Sequence, residues 1–359
     1  MQKINRMKGL AFGAALVAAA LTMTACGSGQ SGSPGGEEEK KLVLSSFAFG
    51  VDDLKKSVIE PFTKATGIEV EIESGSNADR LSKLELNKNS GIDVMLIADY
   101  YAALGQAKDL FAKVDASKIP NMAKISPFAS DEKFNGPAYT FQLNGMMYRT
   151  DVMGADKAAK WETLADPANA RKVALPDLAA SSGQLTLSGV SATYGSGPFD
   201  VDKGFAKLGA LAPSTLKFYT ASTEVTNLIQ QKEIVLAPAL DGFAYNLVRS
   251  GAPVAWTPPA TGKYMTTNRA MVVKGTQHPT NAAKFIDYLL SSEAQSASAQ
   301  ALGDKPVNPA ATFPELLTKI SGPAAKDPVA AGFTALDPAP IVENRSKWVE
   351  RYAREVSSK

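Results

Sequence analysis

Cysteine and histidine are almost absent from this chain, which has one of each in 359 residues, Cys26 and His278. A lone cysteine cannot form an intramolecular disulfide. One histidine beside Pro279 is a poor basis for a Ser-His-Asp or Cys-His site, and it gives no support to a zinc site. A glycine-rich phosphate loop followed by lysine is missing as well. The sequence therefore predicts no metal, no cofactor and no enzymatic activity of these classes.

A strong net charge is also missing. The formal charge is +2, and without Lys3, Arg6 and Lys8 near the N-terminus it becomes −1. Because nucleic-acid binding depends on a basic surface, the sequence predicts no nucleic-acid partner. The 45% hydrophobic and 21% charged residues are typical of a soluble globular protein. The length suits two lobes of about 150 residues each, which implies a cleft between them.

Long apolar runs are confined to the N-terminus, where Leu10 to Leu21 follows the three basic residues. That order is typical of a signal peptide, and the run is short for a membrane-spanning helix. The tetrapeptide ending at Cys26, MTAC, resembles the lipobox of bacterial lipoproteins, whose cysteine is acylated. We therefore expect residues 1–25 to be a lipoprotein signal peptide and residues 26–41 to be the acylated cysteine and a flexible tether. The protein would then be exported and anchored to the outer face of the cell membrane, or to the periplasmic side in a two-membrane bacterium.

Residues 222–251 predict a helix, a buried strand and a second helix in close succession. Ser222 and Thr223 can cap the first helix. Residues 234–240 are continuously apolar and too few for a helix, which favours a parallel strand covered on both faces. Asp241 and Tyr245 follow the carboxyl end of this strand, where ligands bind in open α/β sheets. Asp241 could instead only cap the second helix, and the sequence leaves both interpretations open.

Other polar or aromatic side chains follow three further predicted strands, at residues 42–44, 91–97 and 172–176. They are Phe47, Asp99, Tyr100, Asp177, Ser181 and Ser182. The two serines stand at the start of a predicted helix, where free backbone N–H groups can bind an anion. An ordinary serine cap explains the same pattern.

Several segments together resemble the solute-binding proteins of bacterial ATP-binding-cassette (ABC) importers, in particular the spermidine/putrescine branch. They are FTKATGIEV at 62–70, GIDVMLI at 91–97, WETLADP at 161–167 and NRAMVV at 268–273. The resemblance covers nearly all of residues 42–310. It implies a two-lobed α/β fold of the type II periplasmic-binding-protein kind, with the ligand cleft between the lobes. Lobe 1 would comprise residues 42–140 plus 266–310, and lobe 2 would comprise residues 141–265 plus 311–359. Crossovers near 139–146 and 265–273 would be the hinge.

The resemblance also implies a function, that of a monomeric protein that captures a small solute and delivers it to the ABC permease subunits. Phe47 falls where the polyamine branch has a stacking tryptophan, and Tyr100 falls on its ligand-facing tyrosine. Thr267 falls where that branch has its central aspartate, and Leu240 where it has another tryptophan. These departures leave the identity of the ligand open.

A cationic amine such as a polyamine is the predicted ligand. Asp99, Asp177 and Asp241 are expected to converge on one cleft, where a cation would relieve their repulsion and aromatic rings would hold it. The predicted contacts are Phe47, Asp99, Tyr100, Gln142, Asp177, Ser181, Ser182, Asp241, Tyr245, Tyr264 and Thr267. Ferric iron on tyrosinates, or an organic anion such as a phosphonate on Ser181 and Ser182, are the alternatives. A glycoside hydrolase built on Asp177 and Asp241 is the alternative of another class.

Overall fold

A computed structural model of the chain describes residues 39–358. The predicted signal peptide, Cys26 and most of the tether lie outside the described residues. The described part contains these strands: β1 (Lys41–Phe47), β2 (Glu69–Gly75), β3 (Val94–Ala98), β4 (Phe111–Ala112), β5 (Ala138–Arg149), β6 (Val173–Pro176), β7 (Thr215–Tyr219), β8 (Leu236–Leu240), β9 (Val254–Thr257), β10 (Tyr264–Val273), β11 (Lys305–Pro306) and β12 (Thr334–Ala335).

The α-helices alternate with these strands along much of the chain. They are α1 (Val51–Leu54), α2 (Glu60–Thr66), α3 (Asn77–Leu86), α4 (Asp99–Ala107), α5 (Ala155–Ala158), α6 (Gly183–Tyr194), α7 (Val201–Leu211), α8 (Ser222–Gln230), α9 (Gly242–Arg249), α10 (Pro279–Leu289), α11 (Ser292–Leu302), α12 (Glu315–Ser321) and α13 (Pro338–Tyr352). Within residues 39–358, none of the helices is long and apolar enough to cross a membrane.

The two long strands β5 and β10 connect two sheets. They pair antiparallel with each other, and the second half of β5 pairs with β8 and β9. The strand order is β2-β1-β3-β10-β5 and then β5-β8-β6-β7. We call the first sheet with its helices lobe 1 and the second sheet with its helices lobe 2. The predicted two-lobed α/β fold is confirmed, and the two predicted crossovers coincide with β5 and β10.

The predicted lobe boundaries stay a prediction. Helix α13 near the C-terminus contacts both lobes. The Arg345 guanidinium lies 4.7 Å from the ring centroid of Tyr100 in lobe 1. Near the end of the same helix, the Tyr352 hydroxyl donates a hydrogen bond of 2.7 Å to the carbonyl of Pro176 in lobe 2. Helix α13 therefore links the two lobes through side-chain contacts.

The stretch predicted as helix, strand and helix forms α8, β8 and α9. All five residues of β8 are buried, as the apolar run predicts. The strand is parallel to β6 and antiparallel to β5. The prediction of a parallel strand is therefore correct for one partner and wrong for the other. The antiparallel partner arises because β5 crosses from lobe 1 in the opposite direction.

At the start of lobe 1, strand β1 is longer than predicted and the first helix contains a π-helical turn. Strand β1 continues beyond the predicted residues 42–44 to Phe47, because its parallel pairing with β2 extends to the Phe47 and Gly75 pair. A π-helical turn over Lys55–Ile59 lies between α1 and α2. Pro61 follows this turn, in the first turn of α2.

Candidate functional site

A small cavity of about 100 Å³ lies between the lobes at the ends of β1 and β3 on one side and of β8 on the other. We call it the first cavity. Four aromatic rings line it: Phe47, Phe49, Tyr139 and Phe243. The rings of Phe49 and Phe243 meet across the cleft with centroids 5.4 Å apart, which joins lobe 1 to lobe 2. The first cavity is therefore lined by both lobes and presents four aromatic rings.

The polar groups of the first cavity include two strong acceptors. Among the described residues, Asp304 is the only acidic or basic side chain that lines the cavity. Burial raises the pKa of the Asp304 carboxyl, while the hydroxyl of Ser298, which donates at 2.7 Å, and the charge of Lys305 act in the opposite direction. Gln142 Oε1 is buried and has no hydrogen-bond partner within residues 39–358. A carboxylate, an unpartnered amide oxygen and aromatic faces favour a positively charged donor.

A larger cavity of about 470 Å³ adjoins the first, since both are lined by Phe47, Phe49, Ser181 and Phe243. We call it the second cavity. None of its lining residues in the described part of the chain is charged. It is bordered by the N-terminal ends of α3 and α8, where backbone N–H groups carry positive partial charge. The two cavities thus differ in polarity, the first being acidic and the second lined by neutral donors.

Three of the residues predicted from the sequence line these cavities. Phe47 and Ser181 line both, and Gln142 lines the first. Their place in the cleft agrees with the predicted positions at strand ends and in the β5 crossover. Contact with a ligand stays a prediction for each of them.

Asp241 has a different environment from the one expected, because its carboxylate already has an internal counter-ion. Lys305 Nζ lies 2.6 Å from Asp241 Oδ2, and both side chains are at most 1% exposed. The Ser321 hydroxyl donates to the same oxygen at 2.6 Å, and the Leu143 N–H donates to Oδ1 at 2.9 Å. Asp241 therefore has internal partners for both carboxylate oxygens, and its contact with a ligand stays a prediction. The alternative of a side-chain cap on α9 is wrong, since no side-chain hydrogen bond caps that helix.

Asp99 and Asp177 do not line either cavity among the described residues. Asp99 accepts hydrogen bonds from the Tyr100 N–H at 2.7 Å, the Thr266 hydroxyl at 2.9 Å and the Thr267 N–H at 3.0 Å. Burial raises the pKa of its carboxyl, and these hydrogen bonds oppose the shift. Asp177 accepts from the Ala179 N–H at 2.9 Å. Each carboxylate has its own partners, and the expected convergence of three acids on one cavity does not occur.

The other predicted side chains make contacts within the protein. Tyr245 donates its hydroxyl to the Gln300 carbonyl at 3.2 Å, and the Ser182 and Tyr219 hydroxyls lie 2.6 Å apart. Tyr264 packs in a small apolar cluster with Leu185 and Leu240. The Thr267 N–H donates to the Asp99 carboxylate at 3.0 Å. Tyr100 lines a separate space of about 10 Å³ with Asp99. Their roles as ligand contacts stay predictions.

Sequence reasoning missed several residues that the structure brings to the first cavity. They are Phe49, Tyr139, Phe243, Thr266, Asn268 and Asp304. A local signal exists for Asp304, which follows Gly303. That glycine has φ 74° and ends α11 in the left-handed conformation, so the next residue leaves the helix at a sharp turn.

Comparison with known proteins assigns this arrangement to a family. The model of the bacterial extracellular solute-binding proteins matches residues 57–325, which include both crossover strands and most of the two lobes. The chain belongs to this family. A solved structure described as an ABC transporter from Clostridium perfringens is 30% identical, with a TM-score of 0.74, and the match covers 88% of this chain and 99% of that one.

Two further relatives are similar at lower identity. A spermidine/putrescine ABC transporter substrate-binding protein from Streptococcus pneumoniae is 18% identical, with a TM-score of 0.69 over 88% of this chain and 100% of that chain, which shows the shared fold. A periplasmic protein of Salmonella typhimurium, whose name describes it as 2-aminoethylphosphonate-binding, is 27% identical over 266 residues. The match covers 69% of this chain and 72% of the relative. This solute-binding protein is thus the exported substrate-binding component of an ABC importer, a class that binds small ligands and interacts with permease subunits.

Proposed function

We propose that this solute-binding protein captures a small solute through an ammonium group and delivers it to its permease. The observation that carries the proposal is the Asp304 carboxylate, which faces an otherwise uncharged aromatic cavity. An ammonium group has three N–H donors and a positive charge, which match this carboxylate and the unpartnered Gln142 Oε1. Each aromatic ring in contact with the cation adds about 0.5 to 2 kcal/mol.

The proposed ligand has fewer ammonium groups than the polyamine expected from the sequence. A polyamine carries two or more ammonium groups, but the first cavity contains one carboxylate and the second contains none among the described residues. A ligand with a single ammonium group therefore fits better. The name of the Salmonella relative, which includes an aminoethyl group, supports an amine-bearing solute.

Two further parts of the proposal come from the sequence and the family. Lipid attachment at Cys26 is supported by the lipobox-like MTAC and by the tether of glycine and serine after it. Binding without catalysis is supported by the transport role of the matching family. The protein would then work as a monomer at the membrane surface, where its lobes close on the solute before delivery.

A thermal-shift screen of ethylamine, choline, putrescine, spermidine, 2-aminoethylphosphonate and ferric citrate tests the proposal. A true ligand at a hundredfold excess over its Kd stabilises the protein by about 2.7 kcal/mol. The Asp304→Asn variant should bind the best amine about 10 to 100 times more weakly, since a hydrogen bond to a charged group contributes about 1.5 to 3 kcal/mol. The matched control is Asp53→Asn, which removes an exposed carboxylate of α1. An amine affinity that is equal in all three proteins would refute the role of Asp304, and a response to ferric citrate alone would refute the proposal.

A further inference from the structure

Arg80 is a buried cation whose described partners are all neutral. Only 4% of the Arg80 surface is exposed to solvent. The guanidinium donates to the carbonyls of Leu96 at 2.9 Å and Gly75 at 3.1 Å, and to the Ser45 hydroxyl and Asn77 Oδ1 at 3.3 Å. Burial lowers the pKa of Arg80 to about 10, so the side chain remains charged at neutral pH. A buried charge without an opposite charge is costly, which leaves this site in need of an anion.

The groups that surround Arg80 form one wall of the second cavity. The guanidinium lies 5.0 Å from the ring centroid of Phe47, and Phe47, Gly75 and Asn77 all line the cavity. The positive charge is therefore separated from the cavity by a single layer of residues. The guanidinium therefore adds positive charge behind this wall of the cavity.

Asn77 presents an unused donor on the same wall. Its Oδ1 accepts from Arg80 at 3.3 Å and from the Ala98 N–H at 3.2 Å, and these two contacts fix the orientation of the amide. Its Nδ2 has no hydrogen-bond partner within residues 39–358, although the residue is only 8% exposed. Asn77 is also the first residue of α3, where the Ser76 hydroxyl accepts from the Asp79 N–H at 3.1 Å and the N–H groups before Asp79 have no helical partner.

The opposite wall of the second cavity belongs to lobe 2 and also presents donors. Ser222 and Thr223 are the first two residues of α8, and both line the cavity. The acids in the first turns of the two helices are held by neighbouring hydroxyls. Ser76 donates to Asp79 at 2.6 Å, and Thr220 donates to Glu224 at 3.0 Å. Neither acid lines the cavity.

We propose that the second cavity binds an oxyanion of the ligand, such as a phosphonate, phosphate or carboxylate group. Asn77 Nδ2 and the first N–H groups of α3 and α8 donate to it, and Arg80 supplies the opposite charge from behind Phe47. Because the two cavities adjoin, one molecule can occupy both, and its class is an amine that also carries an oxyanion. This joint assignment rests on the proposed function for the ammonium end, whereas the oxyanion site stands on Arg80 and Asn77.

The variant Asn77→Asp isolates the oxyanion site. It keeps an oxygen that accepts from Arg80 and Ala98, but it replaces the free donor with a second oxygen and places a carboxylate beside the guanidinium. We expect the variant to lose binding of methylphosphonate by calorimetry and to bind 2-aminoethylphosphonate at least tenfold more weakly. We also expect its midpoint of thermal unfolding without ligand to rise, because Arg80 gains an internal counter-ion. The matched control is Asn89→Asp, an exposed position of lobe 1, which should behave as the wild type.

A comparison of probes separates this inference from the proposed function. Wild-type protein should bind 2-aminoethylphosphonate at least tenfold more tightly than propylamine, and Asn77→Asp should abolish that difference. Equal affinity for the two compounds in the wild type would overturn the oxyanion site and leave the amine site standing. Binding of methylphosphonate that persists in Asp304→Asn and is lost in Asn77→Asp supports the oxyanion site even if no simple amine binds. Failure of both phosphonates to bind the wild type would overturn it.

Discussion

Replacing Lys305 by methionine should lower the free energy of unfolding by about 3 to 5 kcal/mol. The Lys305 ammonium and the Asp241 carboxylate are 2.6 Å apart with almost no exposure to solvent. Methionine fills similar space but leaves the carboxylate buried with two hydrogen bonds, from the Leu143 N–H and the Ser321 hydroxyl. Because these two bonds persist, we expect a loss near the lower end of that range.

The reciprocal variant Asp241→Asn should be destabilised by a similar amount, since it leaves a buried ammonium without an acid. The double variant with Lys305→Met contains neither charge. It should cost less than the sum of the two single variants, because groups in direct contact are energetically coupled.

Urea unfolding followed by circular dichroism measures these differences, with the slope of each transition checked against the wild type. Lys284→Met is the control, because Lys284 is exposed on α10 and a surface change of this kind is usually within about 0.5 kcal/mol of the wild type. A loss below about 1 kcal/mol for Lys305→Met, or additive losses in the double variant, would refute the buried ion pair as a stabilising contact.

Three other predictions concern anchoring, closure and pH. Cells that express Cys26→Ser should release the protein from the membrane, and retention equal to that of the parent would contradict the lipobox. Small-angle scattering should give a smaller radius of gyration with saturating ligand, because contacts to both lobes favour the closed state, and an unchanged radius would count against the hinge. Amine affinity should weaken as the pH falls through the raised pKa of Asp304, because protonation removes the negative charge, and calorimetry should find this dependence missing in Asp304→Asn. Without ligand the sign is opposite: the wild type should gain stability relative to that variant over the same fall in pH, because the folded state holds the Asp304 proton more tightly than the unfolded state does.

Local patterns in the sequence predict much of the fold correctly. The α8, β8 and α9 segment follows from a short apolar run between two amphipathic stretches. A strand that is buried on both faces has apolar residues at successive positions, so the run itself predicts the strand. The β5 and β10 crossovers follow from the resemblance to solute-binding proteins, and the structure places them side by side. Phe47 and Ser181 reach the cleft because strand ends meet at one edge of a sheet, and Gln142 reaches it within the β5 crossover.

The charge of the site could not be predicted because it depends on a distant part of the chain. Strand β11 has two residues and no hydrophobic pattern, yet its pairing with β5 brings Lys305 to Asp241. The same turn brings Asp304 to the first cavity. The pairing of β11 with β5 therefore gives Asp241 a counter-ion, Lys305, and brings the carboxylate of Asp304 to the first cavity.

The most direct measurement of the ligand site is a crystal structure of the protein with its tightest-binding amine. We predict that the ammonium nitrogen lies in the first cavity, within hydrogen-bond distance of the Asp304 carboxylate and against the rings of Phe47 and Phe243. An ammonium group bound at Asp99 or Asp177, or an amine held without contact to Asp304, would contradict this assignment.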